Sequence, residues 1–276
     1  MSTRLSRALK SGALSVAALL ATSILLPERQ SSARAADGEP GCRPEMASLQ
    51  LPIHKASLGK DEARLTFVGH STFIIESASG TRAATDYNDF VRARDTPDIA
   101  TMNKAHSTHF SRNPEPGIKQ LLPGWGPSGE AARHDVTLSD MRVRNVPTNI
   151  RDYSGRTDYD GNSMFVFEIG DLCIAHLGHL HHPLEPGHLR ALGRVDVVLV
   201  PVDGSYTLDM EGMMDVLKTL QARVMVPMHF FGPSTLNRFI SRSRELWAVE
   251  MKTEPVLVVS KATLPARPTV IVLPGN

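Results

Sequence analysis

Short apolar runs, broken by Gly, Pro, Asn and Asp, dominate the chain and predict strands and turns before helices. Residues 64–68 alternate and end in Gly69-His70, and residues 72–76 predict a second strand closed by a turn at 77–80. Residues 81–86 continue this meander, and 99–102 read as a short apolar strand leading into a histidine-bearing segment. The Pro- and Gly-rich stretch 114–129 reads as a loop around Trp125, with Leu121 and Leu122 nearby. Residues 136–138 and 141–146 predict one strand pair, and 163–169 with 172–176 a hairpin about Gly170-Asp171. Residues 195–200 and 223–227 are continuous apolar runs, as expected of strands covered on both faces. Three helices are predicted at 185–192, 209–220 and 233–246. The second repeats Met213, Met214, Val216, Leu217 and Leu220 at helical spacing, and the third turns Leu236, Phe239 and Ile240 inward. Residues 256–259 and 269–273 read as edge strands. Strands lead and helices follow in each half, which predicts two sheets packed face to face with helices outside, in one domain over 60–276.

The first 35 residues stand apart from this pattern. Arg4, Arg7 and Lys10 precede an apolar run at 11–26, and Ala33-Arg34-Ala35 offers a small-x-small cleavage site. This is the layout of a secretory signal peptide at 1–35. The run is shorter than the roughly 20 residues of a spanning helix, so no stable membrane insertion is expected after cleavage. Residues 36–59 read as a tail or linker. The whole chain carries a formal charge of +1. Loss of the five basic residues and one acidic residue before position 36 leaves 25 basic against 28 acidic, net −3. That balance excludes nucleic acid as the expected partner and leaves a small-molecule substrate or ligand. Export of this kind places the protein in a bacterial periplasm, where Cys42 and Cys173 either pair or leave Cys173 as a buried thiol.

Eleven histidines are many for 276 residues. Most fall at predicted strand ends: His70, then His106 and His109, then His176, His179, His181 and His182, then His229. Sheet enzymes collect reactive groups there, and three or four imidazoles make an ordinary zinc set. A single His after a strand, as at position 70, more often has a structural role, and His181 and His182 before a proline read as loop surface.

Gly69-His70-Ser-Thr-Phe73, Thr85-Asp86, His176-Leu-Gly-His-Leu-His-His182, the apolar run 195–201, Gly204–Asp209 and Val226-Pro-Met-His229 occur in that order. This series resembles the landmarks of metallo-β-lactamase-fold hydrolases, in the branch with ascorbate-phosphate lactonase-like and N-acyl-phosphatidylethanolamine phospholipase D-like enzymes. The resemblance runs from about Leu65 to His229. It implies an α/β (α+β) fold, a four-layer αββα sandwich, and a two-metal hydrolytic centre.

The chain departs from the family at the metal positions. The His-x-His-x-Asp-His motif is here Lys104-Ala-His106-Ser-Thr108-His109. The metal-bridging Asp of Gly-Asp-Leu is His179, and no His occurs in Asn149-Ile-Arg151-Asp152, where the family has one. Only the terminal Met-His survives unchanged, as Met228-His229. The resemblance therefore implies at most one divalent transition metal, zinc first, on His109, His179 and His229, with His106 as ligand or hydrogen-bond partner. Asp86 maps to an Asp that orients a ligand imidazole, and Lys104 to a cation beside the substrate. Three imidazoles leave a fourth position for water, so the expected activity is hydrolysis of an ester, lactone or phosphodiester by that water. Two other classes stay open: an inactive periplasmic binding protein that uses the same cleft, and a metal carrier built on the 176–182 loop.

Overall fold

A computed structural model describes residues 57–152 and 154–275. The signal peptide at 1–35, Cys42 and most of the tail lie outside the described residues. In chain order the strands are β1 (Glu62–Gly69), β2 (Thr72–Glu76), β3 (Arg82–Ala84), β4 (Ile99–Met102), β5 (Gln120–Pro123), β6 (Asp135–Leu138), β7 (Met141–Arg151), β8 (Thr157–Ile169), β9 (Leu172–His176), β10 (Val197–Pro201), β11 (Val224–Met228), β12 (Ala248–Met251), β13 (Val256–Ser260) and β14 (Thr269–Val272). The helices are α1 (Pro186–Leu192), α2 (Met210–Leu220) and α3 (Pro233–Arg244). One sheet runs β13-β1-β2-β3-β4-β5 and the other β12-β14-β11-β10-β9-β8-β7-β6.

The two sheets share a core of Leu65, Phe67, Phe73 and Ile75 from one and Phe165, Phe167, Val197 and Val226 from the other. Strand β10 shows why a continuous apolar run was needed. Val197 and Leu199 enter this inter-sheet core, while Val198 and Val200 enter a second cluster on the opposite face. That second cluster takes Met213, Met214, Val216 and Leu217 from α2, Phe239 and Ile240 from α3, and Leu192. Asp209 caps α2 by accepting from the Gly212 amide at 2.9 Å. The result is the expected α+β sandwich of two mixed sheets. Its outer face over β3 and β4 is covered by Tyr87, Phe110, Ile118 and Trp125 from loops. Among the described residues, no helix lies in that cluster.

Four details differ from the sequence reading. The 114–129 loop contains β5, which pairs in parallel with β4. Leu122 is buried there while Leu121 is exposed. Strand β14 lies inside its sheet between β11 and β12, so the edge belongs to β12. Strands β7 and β8 continue past their apolar halves as a polar ribbon, pairing Ile150 with Asp158 and Arg151 with Thr157. Among the described residues Cys173 has no disulfide partner, and it is half-buried rather than buried. No described helix is long and apolar enough to cross a membrane.

Candidate metal centre

Strand ends from both sheets converge on one cluster of imidazoles. His70 follows β1, His106 and His109 follow β4, His179 follows β9, and His229 follows β11. His70, Asp86 and His229 adopt positive φ angles of 52°, 43° and 54°. Such backbone is uncommon outside glycine and concentrates at functional sites. The His229 amide donates to the His70 carbonyl at 2.7 Å, tying the two sheets together at the site.

Four of these side chains, His70, His106, His109 and His229, place ligand atoms within 4.8 Å of one another. His70, which the sequence reading left to a structural role, thus joins the cluster. His179 lies alongside, its Nε2 3.1 Å from His106 Nε2. Asp86 is fully buried and does not face the cleft. Its Oδ2 accepts from His109 Nδ1 at 2.5 Å, and its Oδ1 accepts from Asn103 Nδ2 at 2.9 Å. Asp203 does the same for His229, accepting from Nδ1 at 3.0 Å. Amides of Ser205, Tyr206 and Thr207 also donate to Asp203. Sequence reasoning missed Asp203, although it lies just before the Gly204–Asp209 landmark.

Burial opposes ionisation of Asp86, but the His109 and His176 imidazoles and the bonds from His109 and Asn103 outweigh it and hold the carboxyl well below its usual range. For Asp203 burial is likewise outweighed, by the bonds from His229 and Thr207. Both carboxylates therefore keep the Nδ1 proton of their histidine in place. The Nε2 atoms of His109 and His229 then carry lone pairs, and they face each other at 3.1 Å. Two lone pairs at hydrogen-bond distance repel, and only a proton or a metal ion shared between them relieves the contact. Imidazole nitrogens each about 2.0–2.1 Å from zinc would sit about 3.3 Å apart at tetrahedral angles. The pair fits a metal ion, and the carboxylate behind each imidazole is the usual support for such a ligand.

Five of the neighbouring imidazoles are also held toward the neutral form. Burial, then neighbouring imidazoles, lowers His70 to about 3 and His106 to about 4. Burial and the Arg151 charge lower His181 to about 4. Burial leads in lowering His179 and His229 as well. Unfolded, each would titrate near 6.5, so the unfolded chain binds these protons first as pH falls. Stability from these groups is complete above about pH 6.5 and is lost as pH drops toward about 4. The urea midpoint of the metal-free protein is expected to fall between pH 7 and pH 4.5. A flat midpoint over that range would contradict it.

The cleft beside the cluster has a volume of about 480 Å³ and is lined by Lys104, His106, Arg151, Asp158, His179 and Tyr206, among others. Lys104 is half exposed and its Nζ lies 2.7 Å from Asp158 Oδ2. The cation expected beside the substrate at position 104 thus lines the cleft, where Asp158 of the β7–β8 ribbon holds it in place. Arg151, on the same ribbon, is anchored by donating to His181 Nδ1 at 2.9 Å and to the Thr207 carbonyl at 3.1 Å. It has no carboxylate partner among the described residues. His181 thus joins the hydrogen-bond network of the cluster and is not loop surface. His176 is structural: it is buried, its Nε2 donates to the Ser71 carbonyl at 2.9 Å, and its Nδ1 accepts from Gly178. At the cleft mouth the exposed rings of Tyr206 and Phe231 meet at 5.4 Å.

Residues 64–229 match the Beta-lactamase superfamily domain. The match covers more than half of the chain, and the chain belongs to that superfamily. A UPF0173 metal-dependent hydrolase of Thermoplasma acidophilum is 33% identical over 97 residues, which is 34% of this chain and 42% of that protein. A UPF0173 protein of Pyrococcus abyssi is 22% identical over 208 residues, covering 70% of this chain and 97% of that protein. Among solved structures, one described as a Zn-dependent hydrolase of the metallo-beta-lactamase superfamily from Thermotoga maritima superposes with a TM-score of 0.58 at 24% identity. It covers 78% of this chain and all of that one, and it supports the fold.

Proposed function

We propose that the protein is a metal-dependent hydrolase that holds a single divalent transition metal, zinc first, and cleaves an ester, lactone or phosphodiester. The observation that carries this reading is the His109–His229 pair, two imidazoles fixed by buried carboxylates with their free nitrogens 3.1 Å apart. His70 and His106 complete the set of candidate ligands. The names of the UPF0173 relatives support metal-dependent hydrolysis. When bound, an ion of this kind lowers the pKa of a water and polarises a carbonyl or phosphoryl oxygen. The chain itself contributes Asp86 and Asp203, which orient His109 and His229, and a cleft flanked by Lys104 and Arg151 that suits an anionic substrate. Thr108 and His179 stand where the family places carboxylates, which supports one ion and not two. The signal-like segment 1–35 supports export to the periplasm, and N-terminal sequencing of the cell-derived protein should begin at Ala36 or Asp37.

Elemental analysis of untagged protein tests the centre directly. One ion per chain is expected, and two tightly held ions would overturn the single-metal reading. Protein that takes up no ion under metal-replete conditions would favour an inactive binding protein using the same cleft, a reading supported by Thr108 in place of a carboxylate base. Lys104→Met is expected to leave metal content unchanged and to raise KM for an anionic ester more than for its neutral counterpart. Equal KM changes would remove Lys104 from substrate binding.

A further inference from the structure

His179 occupies the place where the family carries a bridging carboxylate, and its hydrogen bonds say which kind of group it has become. The argument starts at position 151, where only donors are available. The Arg151 amide and its Nε both donate to His181 Nδ1, at 3.2 and 2.9 Å. His181 Nδ1 must therefore be bare, and a neutral His181 carries its proton on Nε2. That Nε2 lies 2.6 Å from His179 Nδ1 and donates to it. His179 in turn keeps its proton on Nε2, 3.1 Å from His106 Nε2, which accepts. His106 then holds its proton on Nδ1 and donates to Thr108 Oγ1 at 2.7 Å. The Thr108 hydroxyl has one proton left to give, and it donates to His70 Nε2 at 3.0 Å.

Every link has one direction, set by the guanidinium end. The chain leaves Nε2 of His70 and His106 unprotonated, each accepting one hydrogen bond that an ion would have to displace, whereas the buried carboxylates leave Nε2 of His109 and His229 bare and facing each other. These four are the residues whose ligand atoms cluster within 4.8 Å. His179 alone presents an N–H, because its one lone pair already accepts from His181. We propose that Arg151 and His181 lock His179 as a hydrogen-bond donor, making it a positioning residue for His106 and not a metal ligand. The family position has thus changed from an acceptor that bridges ions to a donor that aims a neighbouring imidazole. Its consequence for the ligand set rests on the metal reading above, but the tautomers themselves do not require a metal.

Nitrogen-detected NMR of the metal-free full chain, with assigned ring resonances, tests the lock. The expected pattern is a proton on Nε2 of His179 and His181 and on Nδ1 of His106. A His179 proton on Nδ1 would overturn the proposal without any substitution. His181→Phe removes the donor to His179 and should give a mixture of both His179 tautomers; an unchanged Nε2–H signal would also overturn it. Zinc affinity supplies the second arm. His179→Ala should stay within about threefold of the parent, whereas a loss as large as that of a His109 or His229 variant would make His179 a ligand. If the tautomers are as stated and no variant or parent binds zinc, the lock stands and the metal reading alone fails.

Discussion

His229→Ala is expected to lower zinc affinity by more than about 100-fold, measured by competition with a chromogenic chelator. The expectation follows from the site's asymmetry. His106 and His179 satisfy each other through one N–H, but His109 and His229 present two acceptors to each other. Removing either member of the second pair removes the place where an ion is most needed. Asp203→Asn should weaken binding by a smaller factor, about 10- to 100-fold, because it releases the tautomer but keeps the ligand. If His229→Ala binds zinc as well as the parent, the centre lies elsewhere, and the 176–182 loop becomes the next candidate.

The second large effect is expected at Gly178→Ala. Gly178 has φ of +60°, and a Cβ there would lie 2.4 Å from Asn162 Oδ1 and 2.5 Å from Asn103 Nδ2. Neither amide can retreat freely. Asn162 accepts from the His179 amide at 2.7 Å and donates to Thr148 at 2.8 Å. Asn103 accepts from the Ser163 amide at 2.7 Å while donating to Asp86. The methyl group would have to displace the support of both His179 and Asp86. A loss of about 2–4 kcal/mol is expected in urea denaturation, in the range of strained or overpacked buried sites. A loss below about 1 kcal/mol would show that the loop rearranges without cost.

The apolar parts of the fold were legible because burial on two faces leaves a one-dimensional mark. Residues 195–200 and 223–227 read as covered strands, and the Met213–Leu217 stripe read as a packed helix face. Elements without such a mark were lost. Strand β12 is Ala-Val-Glu-Met at a sheet edge, largely exposed, with no apolar alternation to detect. The outer halves of β7 and β8 carry one buried aliphatic side chain, Ile150, among polar residues, too little to mark the ribbon that brings Arg151 and Asp158 to the cleft. At the site, the order of the landmarks identified His106, His109, His179 and His229, and the structure gathers all four. Spacing could not separate ligands from partners, because that depends on which ring nitrogen is bare. The same limit hid His70 and His181, whose roles come from contacts with residues 38 and 30 positions away.

The meeting of His109 and His229 spans 120 positions of the chain. An ion shared by them would act as a removable cross-link over that long loop, with an entropic leverage that grows with loop length, much as in a disulfide. Chelation would then register as loosening across both sheets and not only in the cleft loops. In a compartment where metal supply fluctuates, metal scarcity would set the lifetime of the folded chain as well as its activity.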